Sequence, residues 1–257
     1  MELTLSYDII ALLFFVALIA GVIDTLAGGG GLIVLPTLLI LQIPPLQALA
    51  TNKLQGSFGT FTASLTLLHK KALHWKSIRI AFVASLIGSA IGTIAVHFID
   101  TSLLEWLIPI VLISIAGYFL MAKNNPHTKN KTPTSQRRYL LGIVPCIGFY
   151  DGFLGPGTGS FFTVAHVVLM KQTIIEATVN AKLLNFSSNI ASLLLFIASG
   201  QVLWIIGGVM IAGQIIGASI GSRLILAKGA IIIRPLIVIT CLSMCTYFIW
   251  NKIAYAF

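Results

Sequence analysis

Long apolar runs alternate along the chain with short polar interruptions. A helix that crosses a bilayer needs about 20 mostly apolar residues. Runs near that length cover Ile9–Leu26, Leu46–Leu68, Ile78–Phe98, Leu103–Ala122, Tyr139–Leu154, Ile174–Ser199, Val202–Leu226 and Ile231–Trp250. Two further apolar pieces, Leu32–Leu41 and Ser160–Met170, are too short to cross comfortably, and each follows directly after a glycine-rich break. The pattern predicts an all-α polytopic membrane protein in which each half contains a glycine-rich break followed by a short half-helix.

That recurrence points to an internal repeat. Gly21-Val22-Ile23-Asp24 and the glycines Gly28, Gly29, Gly30 and Gly31 are answered by Gly148-Phe149-Tyr150-Asp151 and Gly155-Pro156-Gly157-Thr158-Gly159. Asp24 and Asp151 are 127 positions apart; Lys53 and Lys182 are 129 apart. Gly88 and Gly92 answer Gly217 and Gly221 at that second offset. The expected organisation is a first transmembrane repeat over 1–122, a basic linker over 123–138 and a second repeat over 139–257.

Composition agrees with the pattern. Apolar types make up 57% of the 257 residues and charged types 9%, against roughly 25% charged in a soluble domain. The net charge of +9 by itself suggests a polyanionic partner, but its placement argues otherwise. Of the 16 Lys and Arg, nine fall in two stretches, Lys70–Arg79 and Lys123–Arg138, both between apolar runs. That is the distribution of cytoplasmic loops under the positive-inside rule, so no nucleic-acid partner is expected. Loop pairs related by the repeat switch sign or lose their charge: Asp100 stands where the second half has Arg223, Lys228 and Arg234. Opposite orientation of the two halves produces this, and inverted repeats of five segments each are expected. A parallel arrangement of four spans per half is the alternative.

The candidate chemistry sits at the breaks. Four consecutive glycines at membrane depth free backbone groups, which are tolerated only against protein or a water-filled cavity. The short helix that follows presents unpaired N–H groups and a partial positive charge, and such ends bind anions. Close packing alone accounts for Gly88, Gly92, Gly217 and Gly221, which are spaced, better than for four glycines in a row. Lys53 and Lys182 each lie about 12 Å into a helix at 1.5 Å per residue. Ammonium groups at that depth need named partners, and Asp24 and Asp151 are the carboxylates available. Those aspartates are also candidates for proton coupling. Lys182, Asn185 and Asn189 share a helix face, and Asn52 adjoins Lys53. The expected substrate-binding set is Gly28–Gly31, Asn52, Lys53, Gly155, Gly157, Gly159, Ser160, Lys182, Asn185 and Asn189. Two structural Lys–Asp pairs that merely pin helices are the plainer reading of the charges. His166 reads as a satisfied polar residue. Cys146, Cys241 and Cys245 form no CxxC pattern, and neither a metal nor another cofactor is expected.

The runs Asp24-Thr25-Leu26-Ala27-Gly28-Gly29-Gly30-Gly31-Leu32 and Ala50-Thr51-Asn52-Lys53-Leu54-Gln55 resemble the TauE/SafE sulfite exporter family, also known as the toluene-sulfonate uptake permeases. Gly148 to Ser160 and Ala181-Lys182-Leu183-Leu184-Asn185 resemble that family's second signature, and the likeness is greatest to its YfcA-like bacterial branch. The resemblance implies a permease of the bacterial cytoplasmic membrane for sulfite, sulfoacetate or other organosulfonates, coupled to the proton gradient. The family is usually described as a duplicated four-span unit, and Pro156 and Thr158 replace glycines of the first motif. The expected partners are a small anion, the lipid bilayer and, as an open option, a second copy of the chain in a homodimer. A passive anion channel and a membrane-embedded enzyme are the competing functions. The enzyme lacks a visible nucleophile–base pair, and a channel has no need of intramembrane aspartates.

Overall fold

A computed structural model describes residues 6–69, 75–100, 102–104, 106–108, 110 and 135–228. The described residues are helical throughout their ordered elements, with no strand among them. In chain order these are α1 (Tyr7–Ala27), α2 (Gly31–Ile40), α3 (Pro45–His69) and α4 (Trp75–Val96). The π-helical turn Tyr139–Ile143 then leads into α5 (Val144–Phe153), followed by α6 (Thr158–Leu169), α7 (Ile174–Ala198) and α8 (Trp204–Lys228). Most of the Leu103–Ala122 run, all of Ile231–Trp250 and residues 123–134 of the linker lie outside the described residues.

Tyr7–Ala27, Ile78–Val96, Ile174–Ala198 and Trp204–Ile225 are long and apolar enough to cross a membrane, and Gly31–Ile40 and Thr158–Leu169 are the short apolar pieces. Helix α3 is as long as α7 but less apolar, because Thr51, Asn52, Lys53, Gln55, Ser57 and Thr60 are all buried along it. The amphipathicity is inside-out. On α4 the large side chains Ile80, Val83, Ile87, Ile91 and Ile94 face outward, while Ser85, Ser89 and Thr93 are buried. Lipid rewards the first set, and the second finds hydrogen-bond partners between helices. Ser85 Oγ donates to Leu184 O at 3.0 Å, and Thr93 Oγ1 to Ser192 Oγ at 2.9 Å.

The helices interlock across the repeat. α1 packs on α8 and α5 on α4; α3 and α7 pack on each other at the centre, and α3 also meets α8 as α7 meets α4. Equivalent residues make equivalent contacts. The bare Cα of Gly88 faces Pro145 O and that of Gly92 faces Phe149 O; Gly217 faces Leu18 O, and Gly221 faces Val22 O and the Thr25 side chain. Even the turns repeat: among the described residues Gln42 and Lys171, 129 apart, are the non-glycine residues with positive φ, both at 57°.

Close approach at these glycines makes a prediction. Replacing Gly92 by Leu drives a side chain into the α5 backbone and lowers stability by about 1–3 kcal/mol, as overpacking does. Gly208, which faces open space, accepts Ala without loss. Thermal unfolding of the two purified variants in detergent checks the contrast.

Candidate functional site

The site begins where α1 stops. Gly28 takes a left-handed backbone conformation (φ 76°), its N–H donates to Asp24 O at 2.6 Å, and the chain re-enters a helix at Gly31. The second half repeats the device with Gly155 at φ 93° and Gly157 at φ 78°, and α6 starts at Thr158. The two breaks meet. A side chain on Gly28 would overlap the backbone of Gly159 and Ser160, and Ser160 Oγ donates to Ala27 O. Glycine is needed at position 28 for both conformation and space.

Helices α3 and α7 supply the charges. Lys53 lies eight positions after Pro45 and Lys182 eight after Ile174, so equal lengths of helix carry both ammonium groups to the same level as the breaks. Each lysine is paired across the repeat. Lys53 Nζ is 2.8 Å from Asp151 Oδ1, and Lys182 Nζ is 3.7 Å from Asp24 Oδ2 while also donating to Asp24 O. Both lysine side chains are at most 1% exposed. Counted as ionised, the two pairs cancel. A charge taken out of water persists only when paired and hydrogen-bonded, and these pairs meet that condition by joining one half of the chain to the other.

A narrow cavity opens between the breaks. Its volume is about 20 Å³, room for little more than one water molecule. Of the expected site residues, Asp24, Gly28, Gly30, Gly31, Asn52 and Asp151 line it, as do Gly155, Gly157, Asn185 and Asn189. Gly29, Gly159 and Ser160 shape the breaks without lining the space, and Lys53 and Lys182 sit behind the wall, turned to their carboxylates. His166 is engaged by Phe162 O at 2.8 Å and by the Tyr139 hydroxyl at 3.1 Å.

The wall offers donors. Asn52 Oδ1 accepts from Gln55 Nε2 at 2.9 Å, and Asn185 Oδ1 accepts from Asn189 Nδ2 at 3.2 Å. Those bonds fix both amides, so Asn52 Nδ2 is directed toward Gly31 and Asn185 Nδ2 toward Gly159, at the starts of the two short helices. The N–H of Gly157 donates to nothing among the described residues. Unpaired N–H groups at a helix start beside amide donors suit an oxyanion.

Three lining residues fell outside the expected set: Gln55, Gly56 and Gln214. Gly56 lies against the Asn189 amide. Gln214 is the one long polar side chain in the middle of an otherwise apolar helix, and Gly59 makes room for it. An isolated amide at membrane depth was the signal that could have found it.

Comparison with known sequences decides the family. The profile described as "Sulfite exporter TauE/SafE" matches residues 13–248. The chain belongs to the TauE/SafE sulfite exporter family. Three relatives match along nearly their full length. A probable membrane transporter protein of Haemophilus influenzae is 40% identical over 248 residues, covering 96% of this chain and 97% of that one. The probable membrane transporter protein YfcA of Escherichia coli K12 is 40% identical over 244 residues, covering 95% and 91%. ORF9 of Sinorhizobium sp, also a probable membrane transporter protein, is 41% identical over 240 residues, covering 93% and 92%. No solved structure matches. As a TauE/SafE member the chain is a polytopic integral membrane protein of a transporter family.

The crossed ion pairs make the second prediction. Lys53→Met leaves the Asp151 carboxylate buried without its ammonium and costs about 3–5 kcal/mol, whereas Lys53→Met combined with Asp151→Leu recovers most of that loss. Unfolding of the wild type, both single variants and the double variant completes the cycle.

Proposed function

We propose that the chain is a secondary transporter of small sulfur-containing anions, such as sulfite, sulfoacetate or other organosulfonates, coupled to protons in a bacterial cytoplasmic membrane. The observation that carries this reading is the convergence of two helix starts and two amide donors on one cavity inside the bilayer. Discontinuous helices meeting at a site are a recurrent way for transporters to hold an anion. The family description names sulfite as the exported species for its members, which supports a small oxyanion here.

The narrowness of the cavity fits a carrier better than a channel. A passive pore needs a continuous water-filled path, and this space seats little more than a water. An anion enters when the packed helices shift. An inverted arrangement of the halves, which the loop charges favour, supplies the two equivalent movements that alternating access requires.

Flux in proteoliposomes tests the proposal. Sulfite uptake is expected to accelerate when a proton gradient is imposed and to fall at least tenfold in Asn185→Leu, a loss of about 1.4 kcal/mol or more in substrate interaction. Equal rates with and without the gradient contradict proton coupling. Full activity in the variant removes the amide from the site.

A further inference from the structure

Asp24 and Asp151 hold equivalent places in the repeat but are bonded differently. Asp24 uses both carboxylate oxygens: Oδ1 accepts the Gly30 N–H at 3.3 Å and Oδ2 faces Lys182 Nζ at 3.7 Å. Asp151 uses one. Its Oδ1 is 2.8 Å from Lys53 Nζ, while Oδ2 is buried and meets no donor among the described residues. Two more buried acceptors are in the same position, Gln55 Oε1 and Gln214 Oε1, and all three residues line the one cavity. Turning the Gln55 amide over does not help, because its Nε2 already donates to Asn52 O and Oδ1. A buried acceptor without a donor costs about 1–3 kcal/mol. A carboxylate oxygen can become a donor in one way, by taking up a proton.

We infer that Asp151, and not Asp24, is the carboxylate that loads the coupling proton, and that loading it frees the Lys53 ammonium for the transported anion. The inference rests on the anion-transport reading above. The proton adds to Asp151 Oδ2 and leaves a neutral acid whose O–H is available to the acceptors in the cavity. Lys53 keeps its own proton and loses its counter-charge. A singly charged anion then restores neutrality, so proton and anion each favour the other's binding by the same factor. The apparent conflict between a lysine needed for the anion and a lysine tied to an aspartate disappears: the tie is released only when a proton is aboard.

The surroundings permit this assignment. On α5 itself the Tyr150 hydroxyl is committed to Pro156 O at 2.7 Å. From α3 the facing charge is Lys53; from α7 it is Lys182, which is held by Asp24. From α1, Asp24 is near enough to act on Lys53 electrostatically. On α6 the titratable residue is His166, engaged by Tyr139 and Phe162, and α4 turns Ser85, Ser89 and Thr93 inward. Protonating Asp24 instead would weaken the Gly30 N–H bond at the α2 break, since a neutral carboxyl accepts less strongly than a carboxylate.

Titration calorimetry of the purified full-length protein with methanesulfonate and ethanesulfonate, singly charged anions that do not titrate near neutrality, tests the assignment. Repeating it in buffers of different ionisation enthalpy counts the protons taken up. The wild type is expected to take up about one proton per anion and to lose affinity by up to about tenfold per pH unit as pH rises. Asp151→Asn, a fixed mimic of the loaded acid, is expected to bind without proton uptake and with no pH dependence. Asp24→Asn is expected to keep proton uptake whatever it does to affinity. If Asp151→Asn is too unstable to purify, infrared difference spectra of the wild type and Asp24→Asn replace it: a carboxylic-acid carbonyl band must appear in both on anion binding. Binding without proton uptake, or uptake lost in Asp24→Asn, overturns the assignment and leaves the transport reading standing. No binding of either probe or of sulfite overturns both.

Discussion

An ammonium group inside a bilayer must have a counter-charge, and this constraint organises the whole structure. Lys53 and Lys182 find theirs on the opposite half of the chain, at Asp151 and Asp24. Satisfying the two lysines therefore forces the halves to interlock, with α3 and α7 back to back and the glycine breaks of α1–α2 and α5–α6 drawn together at the level of the charges. Everything else follows from bringing those parts close. The glycines at 88, 92, 217 and 221 let α4 and α8 come near enough to carry α5 and α1. The buried hydroxyls bind between helices where water is absent.

The same constraint makes the centre suited to function. A closed pair of opposite charges is weak evidence for stability, since apolar side chains of the same shape would often serve as well. In the proposed mechanism the pair is a device with two arrangements. One arrangement is neutral and shut. The other, with one carboxylate discharged, exposes a cation beside two helix starts. A small anion is what such a place selects.

Much of this was legible in the sequence. The Lys–Asp partnership, the positions of the breaks and the start of each short helix follow from where charge and glycine fall inside apolar runs, because the membrane punishes both unless they are used. The predicted pieces Leu32–Leu41 and Ser160–Met170 lie within two residues of Gly31–Ile40 and Thr158–Leu169. What the sequence could not carry is which way a side chain turns. The lysines are expected to face the anion, and in the structure both are turned to aspartates of the other half. Gln214 stands out in the sequence as a lone amide in an apolar helix, but its aim at the centre comes from the packing of that helix on α1 and α3. The inequivalence of Asp24 and Asp151 was also hidden, since it comes from one backbone bond, Gly30 N–H to Asp24 Oδ1, with no counterpart in the other half.

The central claim is that an oxyanion sits between the two helix starts, within reach of Asn52 Nδ2 and Asn185 Nδ2. Crystals grown with selenite, the heavier isologue of sulfite, make the anion visible through the anomalous scattering of selenium. The account predicts one strong peak in the cavity between those two amides. A peak confined to the outer surface, or against α4 or α8 away from the breaks, contradicts it.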